Sequence, residues 1–301
     1  MPNSTSIAAL LGHSRLQEAA VGRARFVPTN QPEIIAAVLT WWNVLDATMV
    51  SSGAGHFWQT GYVREVQMRH MVEIGAAAGA GSLDGVPRYC EVGMNGGHSV
   101  VAMLLSNPRL SAHVFDPFEY PYSERVATLL TTSFGERLKI SRGYSRLTLP
   151  PFVESMAANG SHCDVLLVDG DHSEAGVRFD IQQLEALATR DSRLLVDDVV
   201  PACSPNAVDE GDAADYCREV RAMGNDDRIV GPGHAVRQLA AERRIRLLER
   251  YGPFSMGSPA SPCFRTRKGR HCGGRHQFDW GFVVAAFGRR RAGRRGAYSG
   301  G

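Results

Sequence analysis

Apolar residues recur at helical spacing over two early segments. From Gln31 to Val50 the stripe is Ile34, Ile35, Val38, Leu39, Trp42 and Leu45, and from Gly61 to Ala78 it is Val63, Val66, Met71 and Ile74; two amphipathic helices are predicted. The Gly-rich stretch from Gly75 to Gly85 reads as a linker, and Pro87 stands where a strand begins. Short apolar runs then alternate with amphipathic stretches. Strands are predicted over 89–92, 112–116, 138–142, 164–169 and 193–198, with helices over 99–106, 123–134, 151–158 and 176–188 between them. Strands separated by helices of this length imply an α/β fold, a parallel sheet covered on both faces. Ligands of such sheets bind beyond the carboxyl ends of the strands.

After Asp198 the pattern loosens. Residues 209–223 and 235–244 read as helices and 245–249 and 280–287 as strands, while 255–277 is rich in Gly, Pro, Ser and Arg. Two late strands with a long irregular connection would form an antiparallel hairpin at one sheet edge. The expected organisation is a flexible leader over 1–30, a helical cap and linker over 31–85, a main domain over 86–288 and a basic, disordered tail over 289–301.

Composition narrows the function classes. A chain of 301 residues with 44% hydrophobic content can bury a sizeable core. The formal charge of +2 conceals an arginine run from Arg289 to Arg295, without which the body is near neutral, so nucleic acid is not the expected partner. The six cysteines never form C-x-x-C, and two fall in predicted buried strands, which favours free thiols in a reducing, cytoplasmic setting over a disulfide framework. Arg15, Arg23 and Arg25 give the leader a pattern shared with organelle transit peptides. No run approaches eighteen consecutive apolar residues, so no membrane span is expected.

The candidate chemistry sits at strand ends. Glu91-Val92-Gly93-Met94-Asn95-Gly96-Gly97-His98-Ser99 follows a strand and opens a helix; its glycines permit a sharp turn, and the helix N-terminus offers N–H groups to an anion. Asp116 ends the next strand where a ribose diol would lie, and after the third strand Gly143-Tyr144-Ser145 can stack on or hydrogen-bond to a base. The fourth strand runs into Asp169-Gly170-Asp171-His172-Ser173, and the fifth into Asp197-Asp198. Neighbouring strands lie about 5 Å apart, so Asp169 and the Asp197–Asp198 pair could converge on one ion, an all-oxygen site suited to Mg²⁺ or alternatively Mn²⁺ or Ca²⁺. His172 would then be a general base. The bland reading is that Asp171 or His172 caps the following helix and Asp198 the segment after it.

From Arg88 to Val199 the pattern E-x-G-x-N-x-G, then an acid ending the second strand, resembles class I S-adenosylmethionine-dependent methyltransferases. D-G-D-H-S followed by Gly176-Val177-Arg178, with D-D on the next strand, is similar to the branch holding metal-dependent sugar O-methyltransferases. The catechol-type enzymes match less well, carrying lysine at the His172 position and Asp-Asn at the pair. The resemblance implies a Rossmann-like, mostly parallel sheet of seven strands, the last antiparallel, with an N-terminal helical extension. It implies S-adenosylmethionine held by Glu91, Gly93, Asn95, Gly97, Ser99, Asp116, Tyr144 and Ser145, metal on Asp169, Asp197 and Asp198, and proton abstraction by His172. The expected acceptor is a hydroxylated small molecule, a sugar or a phenol-like group; a homo-oligomer is compatible. Alternatives stay open: a metal-independent O- or N-methyltransferase using His172, or a cofactor-binding protein without turnover. A nicotinamide dehydrogenase ranks last because the glycine spacing departs from G-x-G-x-x-G.

Other features are weaker. Cys263, His271, Cys272 and His276 match no common zinc spacing; the arginines around them are solvated or face an anionic acceptor. Trp41, Trp42, Phe57 and Trp58 cover the acceptor pocket or pack in the core. Residues 199–233 leave directly from the D-D strand and are the candidate lid.

Overall fold

A computed structural model describes residues 32–54, 63, 65–79, 85–199, 226–251, 265–266, 269–270 and 282–288. Pro32, whose fixed φ suits a first helical turn, opens α1 (Pro32–Met49) with Glu33 beside it at the positive end of the helix dipole. By length and composition Pro32–Gly53 would span a bilayer. Here Val38, Trp41, Trp42, Leu45 and Met49 are buried in the core that α1 shares with α2 (Glu65–Ala77), α3 (His98–Ser106) and α4 (Ser123–Phe134).

Five parallel strands follow the expected order: β1 (Arg88–Val92), β2 (Ser111–Asp116), β3 (Leu138–Arg142), β4 (Cys163–Val168) and β5 (Ala188–Val196). The other face of the sheet is covered by α5 (Ser145–Ala158), α6 (Glu174–Leu184) and α7 (Asp226–Ala241), which bury a second apolar cluster. β6 (Ile245–Tyr251) and β9 (Phe282–Phe287) pair antiparallel at the edge, with β9 inserted between β5 and β6. The seven-stranded order is β3-β2-β1-β4-β5-β9-β6. A two-residue ladder joins β7 (Arg265–Thr266) to β8 (Gly269–Arg270) within the stretch read as irregular.

Two helices start earlier than their sequence signals. α5 contains Pro150 and Pro151, which as breakers suggested a start at Pro151. Its first turn is closed instead by the Leu147 and Thr148 N–H groups, both donating to the Tyr144 carbonyl. α7 begins nine residues before Ala235 and carries Gly231, Pro232 and Gly233 within it; those three residues suppress the helical signal.

The cysteines depart from expectation. Cys90 on β1 and Cys163 on β4 form a disulfide across a sequence separation of 73, because adjacent parallel strands bring distant residues together. The other four lie outside the described residues, as do the leader, the predicted helix over 209–223 and the tail.

Candidate active site

The turn after β1 is shaped by what surrounds it. At Gly93 (φ +95) an added Cβ would fall 2.0 Å from the Asp169 carbonyl oxygen, so no larger residue fits between the ends of β1 and β4. Asn95 holds the left-handed φ of 47° that its short side chain tolerates, and its Oδ1 accepts a hydrogen bond from the Tyr122 hydroxyl. Gly97 caps α3 without a side-chain hydrogen bond. No side-chain cap competes for the first N–H groups of α3, the end of a helix that suits an anion. From behind, Asp46 on α1 meets His98 Nε2 at 3.0 Å, and Trp42 Nε1 donates to the His98 carbonyl at 3.1 Å.

The predicted cofactor residues divide into two groups. Glu91 is fully buried and its Oε1 accepts the Ser99 hydroxyl. Burial pushes its carboxyl well above the ordinary range, and Glu91 braces the turn from inside through Ser99. Asp116 is also buried: Oδ2 accepts the N–H groups of Met94 at 3.0 Å and Asn95 at 2.9 Å, and Oδ1 accepts that of Phe118 at 2.7 Å. Three donors hold this carboxylate in one orientation beside the turn. Tyr144 is 57% exposed, and its hydroxyl donates to Glu119 Oε1 at 2.6 Å, which raises the phenol's pKa. Ser145 is half-buried at the start of α5.

At the ends of β4 and β5, Asp169, His172 and Asp198 come together. His172 Nε2 lies 3.4 Å from Asp169 Oδ1 and Nδ1 3.3 Å from Asp198 Oδ2, and one ligand atom from each residue falls within 4.8 Å of the others. Asp198 reaches His172 through a left-handed φ of 53° just beyond the strand, the kind of strained backbone that clusters at functional sites. Burial alone would lower the His172 pKa. The hydrogen-bonding carboxylate of Asp169 and the charges of Asp198 and Asp197 outweigh it and push the imidazole up to about 9. Asp197 faces elsewhere: its Oδ1 accepts Gln67 Nε2 at 2.9 Å and the Asp198 N–H at 2.8 Å. Burial first, then Asp169 and Asp198, raise its carboxyl well above the usual range. The helix-capping role belongs to Ser173, which accepts the Gly176 N–H at 3.0 Å, while Asp171 accepts that of Ser173. His172 is not spent on the cap.

Because Gly93 packs against the Asp169 carbonyl, the glycine turn and this cluster adjoin, and a narrow internal gap beside Asp169 is lined by Gln67, Ser99 and Asp197. Sequence reasoning missed Gln67, although it occupies the helical stripe of Val63 and Met71, where a polar residue was the signal. It also missed Gly231 on α7, where an added Cβ would meet the His172 carbonyl oxygen at 2.3 Å. Trp41 and Trp42 take the core reading. Phe57, Trp58, the Cys263–His276 cluster and most of the candidate lid lie outside the described residues.

Residues 90–199 match the family model described as a methyltransferase domain. No curated protein sequence matches the chain. Among solved structures the fold is similar to the O-methyltransferase TomG from Streptomyces achromogenes, involved in tomaymycin synthesis and solved with SAM (TM-score 0.53, 13% identity, covering 86% of this chain and 99% of that one). It is also similar to an O-methyltransferase from Bacillus cereus in complex with SAH (TM-score 0.51, 12% identity, 91% and 97% covered). Cofactor-bound Rv0187 from MTB has a TM-score of 0.50 at 18% identity, with 95% and 98% covered. Over residues 90–199, which carry the glycine turn and the acid-rich strand ends, this chain is similar to a methyltransferase domain.

Proposed function

We propose that the protein transfers a methyl group from S-adenosylmethionine to a hydroxyl of a small molecule, a sugar or phenol-like acceptor, with metal assistance and with His172 taking the proton. The observation that carries this reading is the convergence of Asp169, His172 and Asp198 beside the glycine turn.

The amides at the start of α3 and the Asn95 turn suit the amino-acid end of the cofactor, Tyr144 and Ser145 line the way to its base, and Asp116 holds the turn beside the ribose from within. The cofactor supplies a methyl group already activated on a sulfonium, so the protein's task is to orient the acceptor and remove its proton. Two carboxylates and an imidazole within reach of one another suit a divalent cation, with Asp169 and Asp198 as oxygen ligands and Asp197 adding charge alongside. Such a cation would supply the positive charge that acidifies an acceptor hydroxyl. With those carboxylates on a cation, His172 would be released from the partners that hold its proton and could accept one from the substrate.

One observation favours a second reading. An imidazolium flanked by Asp169 and Asp198 partly balances their charge without a cation, as in a metal-independent transferase. Chelation separates the two. The metal-assisted reading expects EDTA to abolish turnover and Mg²⁺ or Mn²⁺ to restore it, with His172→Ala binding S-adenosylhomocysteine within about twofold of wild type and losing 10²- to 10⁴-fold in rate. Full turnover in EDTA would overturn the metal role and leave methyl transfer standing.

A further inference from the structure

Asp180 lies on α6, is 0% exposed, and neither carboxylate oxygen has a hydrogen-bond partner in the structure. A buried carboxyl left unpaired is destabilising and calls for a physical explanation. Its position suggests one. Oδ2 stands 3.6 Å from the point where a Cβ on Gly170 would be, directly under the loop after β4. The neighbouring groups are Ser145 and Arg146 at the start of α5, and Asp171. The Ser145 hydroxyl is near enough to act on the Asp180 carboxyl, yet no hydrogen bond joins the two. Ser145 in turn belongs to the turn that lines the base end of the proposed cofactor site.

We propose that Asp180 is a positioning residue for the cofactor's base, accepting the Ser145 hydroxyl proton in a hydrogen bond when adenosine binds and so presenting the Ser145 oxygen to the exocyclic amine of adenine. The inference rests on the S-adenosylmethionine reading above. A serine hydroxyl whose hydrogen is directed to a carboxylate can only accept on its other side. It therefore favours a base with an amine at position 6 and repels one with a carbonyl there. Asp180 gains the partner it lacks only when Ser145 is fixed, which couples base identity to the relief of a buried, unpaired group. Burial, reinforced by the charge of Asp171, raises the Asp180 pKa to about 7, with Ser145 and Arg146 pulling the other way. The measurement is therefore made at pH 8, where the carboxylate is ionised.

The test is calorimetric titration of the full chain with S-adenosylhomocysteine and with S-inosylhomocysteine, its 6-oxo counterpart. Wild type is expected to prefer the adenosine ligand at least tenfold. Asp180→Ala and Ser145→Ala should each reduce that preference to within about twofold, and the double variant should lose no more than either single one. A merely structural role would weaken both ligands equally in Asp180→Ala; that result, or an undiminished preference in either variant, overturns the proposal. Should Asp180→Ala fail to fold, Ser145→Ala alone decides by the same criterion. Wild type that binds neither ligand would instead remove the cofactor reading beneath it.

Discussion

His113 on β2 stacks on Phe115 at 4.9 Å and lies 4.2 Å from the Phe152 ring, with Nε2 2.9 Å from Ser141 Oγ. Burial, with Lys139 adding to it, lowers the imidazole pKa to about 4. The folded chain thus holds His113 neutral where the unfolded chain would already be protonated. Its contribution to stability is complete above the ordinary value near 6.5 and is lost as pH falls toward 4. Urea unfolding at pH 7, 5.5 and 4.5 should therefore show a steeper decline for wild type than for His113→Phe; parallel declines would refute the assignment. At this same scale Asp169 and His172 were legible because an apolar strand ends in ionisable residues. The choice between Asp197 and Asp198 was not. Successive strand residues point to opposite faces, and only the left-handed turn at Asp198 directs its carboxylate to His172.

Elements far apart in sequence press on the candidate active site. Helix α7 approaches the His172–Glu174 backbone through Gly231, where a methyl group would also sit 2.4 Å from the Glu174 nitrogen. Gly231→Ala must move that loop, and overpacking of this kind costs about 1–3 kcal/mol. The expected result is a lower melting temperature and a rate loss of at least tenfold, with S-adenosylhomocysteine affinity within about twofold of wild type. Unchanged turnover would mean that the loop position is unimportant. On the opposite side, Gln67 of α2 holds Asp197. Gln67→Leu removes its donor and leaves a half-buried carboxyl with one partner fewer. Weaker Mg²⁺ activation, read as a raised half-saturating concentration with little change in cofactor affinity, is expected; an unaltered Mg²⁺ curve would show that Asp197 needs no such support. The predicted helix at 235–244 missed the first turns of α7, because Gly231, Pro232 and Gly233 are poor helix formers, and at Gly231 the missing side chain permits close approach.

Across the whole molecule, the sheet divides two apolar clusters, and the Cys90–Cys163 disulfide ties β1 to β4 at the centre of it. Closing a loop of that length limits the unfolded chain and is worth about 4 kcal/mol in the chain-entropy view. Both cysteines are at most 1% exposed, so reductant should act mainly on the unfolded chain. Urea unfolding in the presence of dithiothreitol should lower stability by about that amount, and Cys90→Ala/Cys163→Ala should reproduce the loss; identical curves with and without reductant would contradict the bond's role. The sequence by itself determined the α/β class, the glycine turn and the acid-rich strand ends, because these are local in sequence and set by side-chain period and backbone freedom. Tertiary structure alone decided which cysteines meet, that Asp198 and not Asp197 faces His172, that Glu91 and Asp116 are turned inward, and that Gln67 and Gly231 bear on the candidate active site. Each of these depends on strand register and helix packing, which bring together groups that no sequence spacing records.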